Sequence, residues 1–96
     1  MGVKKTTKKS GRKRIEFTFH APGATEVMIF GDFNKWNGKK HRMKKGSLGV
    51  WKKTLVLAPG TYEYKYRVDG KWQEDPTTLH SRLNPFGTYN NLLTVK

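Results

Sequence analysis

The stretch from Thr61 to Trp72 constrains this chain most, because it reads as one two-faced β-strand closed by a tight turn. Tyr62, Tyr64, Tyr66 and Val68 alternate with Glu63, Lys65 and Arg67. Successive side chains of a strand point to opposite faces, so the aromatics share one face and the charges the other. Asp69-Gly70 comes next, and both residues tolerate positive φ, which marks a hairpin. Trp72 stands just past the turn among Lys71, Gln73, Glu74 and Asp75, on the face that carries Lys65. An aromatic plate beside a long hydrogen-bond donor is suited to holding a sugar ring.

The rest of the chain repeats the same pattern. Ile15, Phe17 and Phe19 alternate with Glu16, Thr18 and His20 and predict a first strand. Thr25–Phe30 predicts a second, with Val27 and Ile29 inward. Gly31–Gly38 is rich in turn residues yet holds Phe33 and Trp36, and a short edge strand is expected around Met43. Val50–Leu57 predicts a strand with Trp51, Leu55 and Leu57 on the core side. Asp75–Thr88 reads as a polar loop with two prolines, and Asn90–Val95 as a closing strand. No segment carries the 3.6-residue apolar periodicity of a helix. Short strands separated by Gly, Pro and Asn turns predict an all-β sandwich.

Composition narrows the function classes. The 96 residues favour one domain. No apolar run reaches the roughly 18 residues that span a bilayer, and no secretory leader accompanies the basic N-terminus. There are no cysteines, which removes disulfides and thiolate zinc sites and fits a cytoplasmic protein. His20, His41 and His80 show no metal-ligand spacing, and no cofactor is expected. The net charge is +13, and seven of the basic residues lie in residues 1–14 without an acid (Lys4, Lys5, Lys8, Lys9, Arg12, Lys13, Arg14). Residues 1–13 are therefore expected to be a disordered basic arm. Such an arm is either a solvated tail or a nucleic-acid contact held by counterion release. Met1-Gly2-Val3-Lys4-Lys5-Thr6 also fits the N-myristoylation pattern.

Four pieces occur in a characteristic order: Gly31-Asp32-Phe33-Asn34-Lys35-Trp36, Gly49-Val50-Trp51, Leu57 through Trp72, and Gly87-Thr88-Tyr89-Asn90-Asn91 after Asp75-Pro76. Together they resemble the family-48 carbohydrate-binding modules, which include the glycogen-binding domain of the AMP-activated protein kinase β-subunit and the domain preceding the barrel of isoamylases. The resemblance covers about residues 14–96. It implies an immunoglobulin-like, early-set β-sandwich that binds α-1,4-linked glucan (glycogen, starch or maltooligosaccharide) without catalysis. By position it implies that Trp36 and Trp72 stack on glucose rings and that Lys65, Thr88 and Asn90 bond to hydroxyls. Phe86 stands where some members carry a leucine that inserts into the curved glucan, and the loop between Trp72 and Gly87 is slightly longer than in the kinase members.

Each assignment has a plainer counterpart. Trp36 and Trp72 also suit partial burial at a sandwich edge, Lys65 an ordinary solvated strand lysine, and Thr88 and Asn90 a turn cap. Strand phase places Lys65 opposite the tyrosine face and hence open to solvent. A glycosidase needs two carboxylates flanking the scissile bond. Glu63, Glu74 and Asp75 lie near the aromatic site, yet no nucleophile elbow, phosphate loop or metal triad accompanies them, so no enzyme is expected. The alternative to glucan binding is a scaffold module docking a glycogen-metabolising enzyme or kinase. With the chain ending at Lys96, that partner is expected to be a separate chain.

Overall fold

The computed structural model describes residues 11–96. It is all-β, with eight strands: β1 Lys13–His20, β2 Val27–Gly31, β3 Lys44–Lys45, β4 Val50–Leu57, β5 Gly60–Val68, β6 Lys71–Gln73, β7 Ser81–Leu83 and β8 Tyr89–Val95. They form two antiparallel sheets. One has the order β1-β4-β3, and the other β2-β5-β8-β7, with β6 also paired to β5. No described helix is long and apolar enough to cross a membrane.

The alternating residues bury where period two requires. Phe17 and Ile15 from β1, Trp51, Leu55 and Leu57 from β4, Val27 and Ile29 from β2, and Tyr64 and Tyr66 from β5 pack between the sheets. Phe17 meets Tyr64 edge-on with centroids 5.4 Å apart, and Phe19 lies 4.8 Å from Tyr66. Such aromatic pairs contribute about 0.5–1.5 kcal/mol beyond area burial. Trp51 is core as expected, and its indole N–H donates to the Ala21 carbonyl at 2.9 Å.

The Asp69-Gly70 turn forms as the sequence predicts, with φ of 48° and 83°. The Asp69 carboxylate also accepts from the Thr25 and Glu26 backbone N–H groups at 2.9 and 2.7 Å, tying the turn to the start of β2.

Asp75 organises the segment after β6. Its Oδ2 accepts from the Tyr64 hydroxyl at 2.7 Å and its Oδ1 from the Thr77 hydroxyl and N–H. Its own N–H donates to Asn91 Oδ1, and Asn91 in turn donates to the Tyr64 carbonyl. Burial first, and then Asp75, push the Tyr64 and Tyr66 phenols above their ordinary range.

The structure differs from the sequence reading in several places. The polar loop expected over 75–88 contains strand β7, which pairs with β8 through Arg82 opposite Asn90. All three residues of β7 are exposed, so no alternating burial could announce it. The short edge strand expected around Met43 is present, at Lys44–Lys45. β2 buries all five of its residues, because Met28 and Phe30 are covered on the outer face as well. Of the arm expected over 1–13, Lys13 already pairs with Leu57 in β1. The rest of the basic run up to Ser10, with the Gly2 acylation pattern, lies outside the described residues.

Candidate functional site

The site forms where β5 changes partner. Gly60–Tyr64 pairs with β8, and Tyr66–Val68 pairs with β6 on the same side. Lys65 falls between the two registers and projects outward into the gap. The hairpin β7-β8 and the segment after β2 wall that gap on either side. The resulting groove, about 390 Å³, is lined by Trp36, Lys65, Trp72, Asn84, Phe86 and Thr88. A second concavity of about 290 Å³ adjoins it, lined by Asp32, Glu63, Pro85 and Asn90 and sharing Trp36, Asn84 and Phe86 with the first.

Trp36 is placed by an unusual backbone. Lys35 and Trp36 both adopt left-handed φ, 53° and 58°, and the Trp36 N–H returns to the Gly31 carbonyl at 2.8 Å. The turn closes tightly against β5: a Cβ on Gly31 would stand 2.8 Å from the Glu63 carbonyl oxygen, so this position admits only glycine. Buried Asn34 holds the turn from inside. Its Oδ1 accepts from Gly31 N–H at 3.0 Å and its Nδ2 donates to the Ile29 carbonyl at 2.9 Å. The Nδ2 also reaches His41 Nδ1 at 3.0 Å. Burial, and then the charges of Lys53 and Lys40, lower the His41 pKa below 6.5. Asp32 fixes the indole from outside: Oδ1 accepts from Trp36 Nε1 at 3.0 Å and Oδ2 from the Glu63 N–H at 2.7 Å.

Trp72 sits opposite Arg67 in the β5-β6 ladder and remains 48% exposed. Phe30 packs edge-on against it at 4.8 Å, and the Arg67 guanidinium lies 5.3 Å from its ring centroid. A ring held this way keeps a flat surface available at little ordering cost.

The polar residues converge from three strands and a turn. Lys65 is only 7% exposed. The solvent-open lysine expected from strand phase is therefore a walled-in one, because the flanking loops rise above the sheet on both sides. Its Nζ donates to Thr88 Oγ1 at 3.1 Å. Asn90 donates to Glu63 Oε1 at 3.1 Å, and Arg82 holds the other Glu63 oxygen at 3.5 Å. Phe86, at the tip of the β7-β8 hairpin, is 88% exposed and closes one end of the groove. Trp36, Lys65, Trp72, Phe86 and Thr88 thus share one groove, while Asn90 lines the adjoining concavity.

Two residues of the site escaped the sequence reading. Asp32 clamps Trp36, and Asn84 joins Thr88 to Asn90, donating to Thr88 Oγ1 at 2.8 Å and to Asn90 Oδ1 at 3.0 Å. The Asn84-Pro85 pair was legible as a turn signal, but nothing local shows where its side chain ends. Among the described residues no cluster of His, Cys, Asp and Glu is arranged to hold a metal ion.

A two-sheet sandwich with an aromatic-walled groove on its outer face has the form of a carbohydrate-binding module. Comparison with known proteins agrees: residues 13–96 match the family described as the glycogen recognition site of AMP-activated protein kinase, and the chain belongs to that family. It is 35% identical over 81 residues to a 1,4-alpha-glucan branching enzyme GlgB of Nostoc sp., covering 84% of this chain and 10% of that protein. It is 42% identical over 72 residues to Protein PTST homolog 2, chloroplastic, of Arabidopsis thaliana, covering 75% of this chain and 13% of that protein. Protein FLOURY ENDOSPERM 6, chloroplastic, of Oryza sativa subsp. japonica is also 42% identical over 72 residues. The chain spans about a tenth of the length of these relatives.

Proposed function

We propose that this chain binds α-1,4-linked glucan in the groove between Trp36 and Trp72, without catalysing a reaction on it. The observation that carries the reading is the convergence of two indoles, Phe86, Lys65 and Thr88 on one surface groove from separate elements. The C–H-rich faces of glucose pack on Trp36 and Trp72, Phe86 fills the concave side of the curved chain, and Lys65, Thr88 and Asn90 bond to rim hydroxyls. The site is shallow and its polar partners compete with water, so affinity is modest.

The carboxylates beside the groove are structurally committed, which supports a binding rather than a hydrolytic role. Asp32 spends both oxygens on Trp36 and Glu63 N–H, and Glu63 is held by Asn90 and Arg82. Any partner enzyme or kinase would act on glucan that this module retains. A branching enzyme among the relatives makes such pairing reasonable.

The test is a titration with maltoheptaose or β-cyclodextrin, read by tryptophan fluorescence at low and high salt. A saturable change at both salt levels is expected, because ring stacking is insensitive to screening. No change at millimolar sugar would sink the proposal. Binding to an oligonucleotide that vanishes with salt would favour the basic N-terminal arm as the working element instead.

A further inference from the structure

We infer that Asn84 is a positioning residue of the groove and that it makes Thr88 an obligate hydrogen-bond donor toward the ligand. The inference rests on the glucan-binding proposal, since it concerns how the same groove recognises a hydroxyl.

The atoms of the Asn84 amide are assigned by their partners. The backbone N–H groups of Phe86 and Thr88 approach one atom at 3.0 and 3.1 Å. A backbone N–H only donates, so that atom is Oδ1. The other atom, Nδ2, therefore faces Thr88 Oγ1 at 2.8 Å and Asn90 Oδ1 at 3.0 Å. The backbone of the same loop closes around it, with Asn84 N–H donating to the Thr88 carbonyl and Gly87 N–H to the Asn84 carbonyl. All four hydrogen-bonding positions of the Asn84 amide are used.

Thr88 Oγ1 then receives two donors. Asn84 Nδ2 and Lys65 Nζ can only donate, and they occupy both lone pairs of the hydroxyl. The Thr88 O–H proton is left to point elsewhere, and Thr88 lines the groove. Asn90 is polarised in the same way: its Oδ1 is taken by Asn84 and one amide proton by Glu63, leaving a second proton free. The groove thus offers donors from Lys65 and Thr88, while the free Asn90 proton lies in the adjoining concavity with the acceptors Asp32 and Glu63. A glucose hydroxyl at Thr88 is bound through its oxygen, as an acceptor.

Asn84→Asp tests this directly. It keeps the Oδ1 acceptor that shapes the turn and removes both donors. The new carboxylate accepts a hydrogen bond from the Thr88 hydroxyl, so that proton turns away from the ligand. Maltoheptaose affinity is measured for the unaltered chain, Asn84→Asp, Thr88→Val, Thr88→Ser and the Asn84→Asp/Thr88→Val pair, with a thermal melt on each. Asn84→Asp and Thr88→Val should each weaken binding about five- to tenfold, the worth of one lost hydrogen bond. Thr88→Ser should bind normally, and the double variant should bind no worse than Asn84→Asp alone. That non-additivity is the readout which a merely structural role for Asn84 would not produce.

Binding by folded Asn84→Asp within about twofold of the unaltered chain overturns the inference, as do losses that multiply in the double variant. If Asn84→Asp does not fold, Thr88→Val against Thr88→Ser decides: loss in the first alone supports the donor role, and normal binding by Thr88→Val overturns it. Absence of binding by the unaltered chain is a separate result, which removes the glucan reading itself.

Discussion

The carboxylate of Asp32 holds the indole of Trp36 at 3.0 Å while its second oxygen holds the backbone of Glu63 at 2.7 Å. One side chain therefore couples the orientation of an aromatic platform to the strand that carries Lys65. Asp32→Ala should release the indole and lower glucan affinity several-fold. The loss of stability should be only about 1 kcal/mol, because the carboxylate is exposed and water replaces part of what is lost. Affinity and melting midpoint, measured on the same variant, check this. A normal affinity would show that Trp36 is oriented by its backbone alone.

The three tryptophans should separate by role. Trp36→Ala and Trp72→Ala should reduce maltoheptaose binding about tenfold or more and leave the fold in place, since each ring presents a face to solvent. Trp51→Ala should instead cost about 3–5 kcal/mol of stability, because it opens a cavity between the sheets and removes the indole hydrogen bond to the Ala21 carbonyl. Chemical denaturation of the three variants beside a sugar titration distinguishes them. Equal binding by both platform variants would move the site elsewhere.

His41 should make stability depend on pH in the mildly acidic range. Asn34 donates to His41 Nδ1, a contact that only the unprotonated nitrogen can accept. The folded pKa lies below 6.5 because of burial and the nearby Lys53 and Lys40 charges. The unfolded state therefore takes up the proton first, and stability falls as pH drops below about 6.5. Melting midpoints across that range should slope upward with pH, and His41→Gln should flatten the slope. An unchanged slope in the variant would assign the effect to other groups.

Asp75 should prove a structural carboxylate. Asp75→Ala leaves the buried Tyr64 hydroxyl without its partner and frees Thr77, at about 1–3 kcal/mol for each buried group left unsatisfied. The raised Tyr64 and Tyr66 phenols carry a second consequence. The unfolded chain loses these protons near pH 10 while the folded one keeps them, so their contribution is present below that pH and fades as pH rises through it. An alkaline melt series with phenolate absorbance tracks both effects. Full stability well above that pH would contradict them.

Much of the architecture could be read from the chain. Period-two alternation predicted β1, β4 and β5 with the correct residues inward, because a strand has only two faces and one of them is apolar here. The Asp69-Gly70 hairpin was equally local, since it depends on the φ that those two residues tolerate. Strand β7 was not legible: Ser81, Arg82 and Leu83 are all exposed, and their pairing comes from β8 rather than from any pattern of their own. The second burial of β2 was hidden for a related reason. Phe30 packs against Gly38 and Trp72, and Met28 lies beside Arg42 in a β-bridge, all of which arrive from elsewhere in the chain.

The sequence by itself determined the all-β class, the core face, the turns and the kinds of side chain a sugar groove needs. Only the tertiary structure decided that Trp36, Trp72, Lys65, Phe86 and Thr88 meet in one groove, that Lys65 is walled in rather than open, and that Asp32 and Asn84 govern the geometry of the others. The physical reason is range. Alternation and turn preference act within a few residues. The groove arises where β5 exchanges β8 for β6, and the Asn84 loop folds over Lys65, so contacts between segments far apart in the chain decide which side chains line it.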